Sequence, residues 1–170
     1  RALGRIAAGG HVYRGHKPVH WCADCGSALA EAEVEYQDKQ SPAIDVRFPA
    51  ADAAGVLARM QHTPNGAGEG PINAVIWTTT PWTLSANQAV ALHPELEYVL
   101  VQATGNQGPE RLLLAEPLMK ATMLRYGVSD YRVVATALGR ELEGVRLMHP
   151  FHAREIPLIL GEPVTPDAGT

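Results

Sequence analysis

No stretch of the 170-residue chain approaches the ~20 consecutive apolar residues that a membrane span requires, and no signal peptide is visible. A soluble, cytoplasmic protein is expected. Positive charge is also scarce: charged residues make up 19% of the chain, and 14 Lys and Arg against 18 Asp and Glu leave a net charge of −4. That balance excludes a self-sufficient nucleic-acid binder, which carries a basic patch on a basic domain, but not a pocket for a nucleic-acid end inside a larger protein. Aromatic residues stop at 6%, which makes the Trp residues conspicuous. There is no internal repeat, no low-complexity tract and no initiator Met. Arg1-Ala2-Leu3-Gly4-Arg5-Ile6 reads as the tail of a helix in progress, and Asp167-Ala168-Gly169-Thr170 as a turn cut short, so a segment of a longer protein is expected.

At 46% hydrophobic the chain can bury a core, and its 16 Gly and 13 Pro mark many turns. The dominant period is two, the period of strands. Residues 43–48 alternate apolar and polar, and residues 74–77 form a continuous apolar run. Residues 98–101 and 111–115 flank the turn signal Gly105-Asn106-Gln107-Gly108-Pro109 and predict a hairpin. Residues 131–136 and 156–160 are further strands, with Pro157 and Pro163 marking edges or ends. Helices are predicted over residues 50–61, with Val56, Leu57 and Met60 on one face, and over 116–126, which opens with Pro117 and closes at Gly127. Residues 62–70 read as a Pro/Gly/Asn loop. The expectation is an α+β fold, mainly β, on a curved or barrel-like sheet with two or more short helices.

The two cysteines lie together in Trp21-Cys22-Ala23-Asp24-Cys25-Gly26. A two-residue gap followed by Gly lets two thiolates converge on one ion, as in a zinc knuckle, yet supplies half of a four-ligand zinc set. His16 and His20 are near, but no clean second pair follows. Three readings stay open: a zinc half-site completed elsewhere, reduced structural thiols, or redox chemistry. Redox chemistry would need a helix after the pair, whereas residues 31–36 look strand-like. His149-Pro150-Phe151-His152 and His93-Pro94 read as structural turns rather than as metal or base sites.

Thr78, Thr79, Thr80 and Thr83 crowd at the end of an apolar strand interrupted by Pro81. Pro81 has no ladder donor and keeps Thr80 extended, so the strand should end or bend there. Hydroxyls freed from the ladder can hold a water or a ribose oxygen, and Trp77 and Trp82 could frame them. Threonine also favours strands and tryptophan favours cores, so composition alone leaves a purely structural reading open.

Residues 77–87, WTTTPWTLSAN, resemble the threonine-rich editing signature of isoleucyl-tRNA synthetases, WTTTPWTLPAN. Lys17-Pro18-Val19, residues 20–36 (HWCADCGSALAEAEVEY) and residues 156–170 (IPLILGEPVTPDAGT) resemble the same family, in order along the chain. The resemblance implies residues 1–45 as a linker to a catalytic body, containing the cysteine pair, and 46–170 as an editing domain incomplete at its C-terminus. In that family the domain hydrolyses valine wrongly attached to the isoleucine tRNA. Carried over by position, Thr79, Thr80 and Thr83 would line the scissile ester and its water. Thr78, Trp82 and Asn87 would contact the substrate, with Asn87 toward the adenosine. Cys22 and Cys25 would give a zinc half-site shared with ligands outside the chain.

The same resemblance implies the aminoacylated tRNA 3′ end and the rest of the synthetase as partners, a monomeric parent, and no membrane. Neither HIGH-type nor KMSKS-type motifs occur, so ATP and Mg belong to the parent's catalytic body. Ser85 stands where the family usually has Pro. The family's next segment, GAVHTAPGHGPDD, lies beyond Thr170 and holds the His and Asp expected to grip substrate. Negligible hydrolysis by this chain alone is therefore expected. A valine or leucine editing domain, or a non-catalytic zinc-dependent module, are the competing readings.

Overall fold

The computed structural model describes residues 1–38, 40–105 and 108–165, which fall in two compact units, 1–40 and 41–170. In the first unit, α1 (Ala2–Ala8) precedes a two-stranded hairpin of β1 (Trp21–Cys22) and β2 (Ser27–Ala28), which pairs Trp21 with Ala28 and Cys22 with Ser27. The strand expected over residues 31–36 is absent. A 3-10 turn spans Glu31–Glu33 instead, because the Glu33 carboxylate folds back to accept the Ala30 N–H at 2.8 Å. None of the described residues here is buried.

The second unit begins with β3 (Ile44–Pro49), so a division after residue 45 would cut a strand; the compact unit starts at Ser41. It continues through α2 (Ala53–Leu57), β4 (Gln61–His62), β5 (Ile72–Thr78), β6 (Val90–Leu92) and β7 (Glu97–Gly105). Then come β8 (Gly108–Ala115), α3 (Met119–Arg125), β9 (Arg132–Leu138), β10 (Arg146–Met148) and β11 (Glu155–Leu160). Six strands form one sheet in the order β3-β5-β8-β7-β9-β4, and three form another in the order β10-β11-β6. An isolated bridge, Ala50 to Leu147, joins the end of β3 to β10. The mainly-β α+β expectation holds; among the described residues the large sheet is open-edged rather than closed into a barrel.

Strand alternation builds the core on both faces of the large sheet. Along β7, Tyr98 and Leu100 enter one apolar cluster while Val99, Val101 and Ala103 enter the other. Its hairpin partner β8 repeats the pattern, with Leu113 and Ala115 on the first face and Leu112 and Leu114 on the second. The register pairs Tyr98 with Ala115 and Val101 with Leu112, as the hairpin pattern predicts. Asn106 and Gln107 of the predicted turn lie outside the described residues, as does Asp167. Between β7 and β9, Leu100 pairs with Ala135 and Val101 with Val133, so Val134 is a bulged residue. The first cluster lies beneath the small sheet and α2; α3 covers the second with Met119 and Met123.

Three expectations are corrected. The helix over 50–61 shrinks to Ala53–Leu57: Gly55 weakens it, and Gln61 and His62 are drawn off to pair with Thr136 and Ala135 at the sheet edge. The loop over 62–70 consequently gives up His62 to β4. Pro157 lies in the central strand of the small sheet, not on an edge; it sits where β11 hands over from β10 (pairing Glu155 to Pro157) to β6 (pairing Leu158 to Leu160). No helix among the described residues is long and apolar enough to cross a membrane.

Candidate functional site

β5 stops at Thr78, as Pro81 demands, and a 3-10 turn follows over Pro81–Ala86 before the chain enters β6. The threonine segment thus crosses from the large sheet to the small one. Its polar groups are organised locally. The Thr80 N–H donates to Thr78 Oγ1 at 3.0 Å, and the Thr78 and Thr80 hydroxyls lie 3.2 Å apart. Thr83 donates both its N–H (3.0 Å) and its hydroxyl (2.7 Å) to the Thr80 carbonyl, and the Thr80 and Thr83 hydroxyls approach to 3.5 Å.

Directionality follows from those bonds. Thr83 has spent its hydroxyl proton on Thr80 O, which leaves its oxygen lone pairs to accept. Between Thr78 and Thr80 either hydroxyl can donate, and with the Thr83 proton already placed, Thr80 is the donor wherever it meets Thr83. With the Thr78 proton turned to Thr80 Oγ1, the Thr80 proton is free to turn to an outside acceptor. A donor at Thr80 and an acceptor at Thr83 stand side by side, both exposed. Thr79 contributes differently: its carbonyl accepts the Ser41 hydroxyl at 2.8 Å, which ties the site to the segment entering β3.

Trp77 and Trp82 stand out of the core, 42% and 67% exposed. They are available as walls and are not packing residues. Asn87 donates Nδ2 to Ala89 O at 3.0 Å, while its Oδ1 is buried without a partner. An orphaned acceptor costs free energy unless a donor reaches it, which suits a residue waiting for a ligand. Ser85 donates its hydroxyl to the Trp82 carbonyl at 3.3 Å, filling the place of Pro with a local bond.

Residues far away in sequence complete the site. The Leu84 side chain is buried in the first cluster, and its carbonyl meets His149 Nε2 at 2.8 Å. Arg154 donates to Asn87 O at 2.6 Å and reaches Ser85 O at 3.4 Å. The structural reading of His149 holds, since its ring is buried and fully engaged. Its partnership with the threonine turn had no local signal.

Two roomy clefts, of about 530 and 500 Å³, lie elsewhere, on either side of the Arg47–Glu110 ion pair. Those charges are mutually satisfied: Arg47 binds Glu110 at 2.8 and 2.9 Å and Arg125 binds Asp45 at 2.8 and 2.9 Å.

In the first unit, Cys22 and Cys25 meet at the β1–β2 turn, with Gly26 at φ +64°. The Cys25 N–H donates to Cys22 Sγ at 3.3 Å, and this bond, with that from the Cys25 thiol, lowers the Cys22 pKa, while the thiol–thiol bond raises that of Cys25. No group of three or more His, Cys, Asp or Glu side chains gathers into a metal set among the described residues. Two thiols could fill at most two of the four positions of a zinc site.

The family model of class I tRNA synthetases (I, L, M and V) matches residues 1–151. The chain belongs to that family. Its relatives include the isoleucine–tRNA ligase of Methylococcus capsulatus, 65% identical over 171 residues, and that of Nitrosococcus oceani, 59% identical over 170. Each alignment takes in 100% of this chain, and the chain spans 18% of the length of either relative. Among solved structures, the editing domain of the P. knowlesi cytosolic leucyl-tRNA synthetase superposes with a TM-score of 0.60 at 12% identity. That match covers 81% of this synthetase chain and 59% of the other, and establishes a shared fold. The threonine-rich resemblance to the isoleucine enzymes is thereby borne out over the whole chain.

Proposed function

We propose that this region of an isoleucine-type synthetase is its hydrolytic editing domain, removing valine from the 3′ end of the isoleucine tRNA. The observation that carries the reading is the exposed Thr80 donor beside the Thr83 acceptor, next to the unpartnered Asn87 Oδ1. A missing methylene is worth only about 1–3 kcal/mol to a synthetic site, the arithmetic for which isoleucine enzymes are the familiar example, so a second hydrolytic pocket is required.

In this reading a water donates one hydrogen bond to Thr83 Oγ1 and is thereby aimed at the ester carbonyl carbon. Thr80 donates its hydroxyl proton to the carbonyl oxygen as negative charge develops there. Thr78 relays polarisation to Thr80, Thr79 holds the backbone through Ser41, Trp82 walls the bound end, and Asn87 Oδ1 accepts from the terminal adenosine. No threonine is a nucleophile, because none is paired with a base that would activate it. As the water oxygen bonds to the carbonyl carbon, the bond to the ribose oxygen breaks, valine leaves as the free acid and the water's proton passes to that ribose oxygen; catalysis is positioning of water and ester.

The same reading extends to the parent enzyme. We take the aminoacylated tRNA and the rest of the synthetase as its partners, the parent as a cytoplasmic monomer, and ATP and Mg as serving its catalytic body. Cys22 and Cys25 supply two thiolate ligands to a zinc completed by residues outside this chain.

The test is deacylation of valyl-tRNA by the full-length synthetase. Thr80→Ala and Thr83→Ala should each lower kcat by roughly tenfold or more, with Thr80→Ser retaining most activity. Because both side chains are exposed, stability should shift by less than about 0.5 kcal/mol. Wild-type kcat in both alanine variants would overturn the reading.

A further inference from the structure

The 3-10 turn that presents Thr80, Thr83 and Asn87 is an unsafe platform by itself. Such turns are short and their hydrogen bonds poorly aligned. The bonds that open and close this one, Thr83 N–H to Thr80 O and Asn87 N–H to Leu84 O, are both 3.0 Å. From far along the sequence, its carbonyls are held by side chains of the turn joining β10 to β11, about 65 residues on.

We propose that His149 and Arg154 are positioning residues for editing, clamping the threonine turn from the small sheet. This rests on the editing function proposed above. The bonding pattern of His149 determines which nitrogen carries its proton. Nδ1 accepts the N–H groups of Phe151 (3.1 Å) and His152 (3.2 Å), so it is unprotonated. Nε2 therefore bears the hydrogen and donates it to Leu84 O at 2.8 Å.

The ring cannot drift. It is 4% exposed and meets the Phe48 ring edge-on at 6.3 Å and 79°, and the His149 backbone N–H donates to Arg154 O at 2.9 Å. Phe48 is itself 0% exposed in the large sheet. His149 is thus fixed to both sheets and holds the middle of the turn between them. Arg154 holds its far end through the carbonyls of Asn87 and Ser85, fixing the backbone from which the Asn87 side chain projects.

Neither residue is placed to touch substrate. Their effect is on the geometry of the Thr80–Thr83 pair, where a displacement of about 1 Å can cost on the order of a hundredfold in rate.

The experiment compares full-length synthetase variants in steady-state valyl-tRNA deacylation, with thermal unfolding as the folding control and isoleucylation as the control for the catalytic body. His149→Leu preserves bulk but cannot donate to Leu84, and should lower kcat roughly tenfold with KM within about twofold. His149→Gln, whose amide nitrogen can take the place of Nε2, should return to within about threefold of wild type. Arg154→Ala, at an exposed side chain that leaves the core intact, should lower kcat about threefold, with Arg154→Lys recovering part of it.

The proposal is overturned if folded His149→Leu or Arg154→Ala keeps wild-type kcat, or if His149→Gln falls as far as His149→Leu. Should His149→Leu lose the cooperative thermal transition of the wild type, and so be misfolded, Arg154→Ala decides. Thr80→Ala runs in the same assay to separate the two levels. Loss with Thr80→Ala but not with the clamp variants sinks the clamp alone; wild-type kcat in all of them sinks the editing reading too.

Discussion

Tyr126 carries a buried hydroxyl that faces the Asp45 carboxylate without forming a hydrogen bond of good geometry, its ring flanked by the guanidinium groups of Arg47 at 5.1 Å and Arg125 at 5.7 Å. Burial first, and then the negative charge of Asp45, push its pKa up from 10.0 to about 12, against the opposing pull of the two arginines. The folded chain therefore holds this proton more tightly than the unfolded chain. As pH rises from about 10 to about 12, the unfolded state loses the proton while the folded state keeps it, and stability must fall across that window. Tyr98 shifts in the same direction, chiefly through burial. Tyr126→Phe should thus make the alkaline loss of stability shallower without abolishing it. Near pH 8 it should be neutral or stabilising by up to about 1 kcal/mol, since it removes an unsatisfied polar group. Urea unfolding of the two proteins at about pH 8 and about pH 11 checks both statements. A loss of more than about 1 kcal/mol at the lower pH would mean the hydroxyl has a partner after all.

Elements differ in how far local pattern reveals them. The β7–β8 hairpin was legible because alternation, a Gly/Pro turn and burial on both faces all agree. α2 is shorter than its apolar spacing, which extends to Met60, because Gln61 and His62 pair with the edge of β9 instead of adding a helical turn. β6 and β10 are three residues each, too short to show a period, and exist because β11 pairs with them. The same contrast holds at the candidate site. Thr78 to Asn87 is contiguous and was visible, whereas Ser41, His149 and Arg154 join it only through folding. The loop before β5 was foreseen from its glycines, but not the buried Arg111 that donates to Gly70 O at 2.6 and 3.1 Å and to Ala67 O at 3.1 Å. Two glycines of that loop allow a controlled comparison. Gly66 and Gly70 have φ of +79° and +83°, yet a Cβ on Gly66 meets nothing within 4 Å while one on Gly70 would collide with the Pro109 carbonyl. Gly66→Ala should cost about 1 kcal/mol, the conformational penalty alone, and Gly70→Ala roughly 2–3 kcal/mol. Equal urea midpoints for the two variants would show that β8 gives way without cost.

At the scale of the whole molecule, the two units are unequally equipped to fold. Both apolar clusters draw all their members from the second unit, including fully buried Phe48, Leu100, Leu112 and Met123. The first unit offers one short helix, a two-residue-per-strand hairpin and no buried residue among those described. A segment of this size without a core ordinarily needs a metal or a neighbour to be stable. Its two cysteines could fill no more than half of a four-ligand zinc set, so metal alone should not order it in this chain. Limited proteolysis of residues 1–170 in the presence of a chelator should therefore remove the first 40 residues early and leave a resistant product beginning near Ser41. A protein comprising residues 41–170 should unfold in urea cooperatively, with stability within about 1 kcal/mol of the longer chain, because no core side chain has been removed. First cleavage inside the second unit, or a broad non-cooperative transition of residues 41–170, would mean that its fold depends on the preceding segment. The editing geometry would then have to be studied only in the intact synthetase.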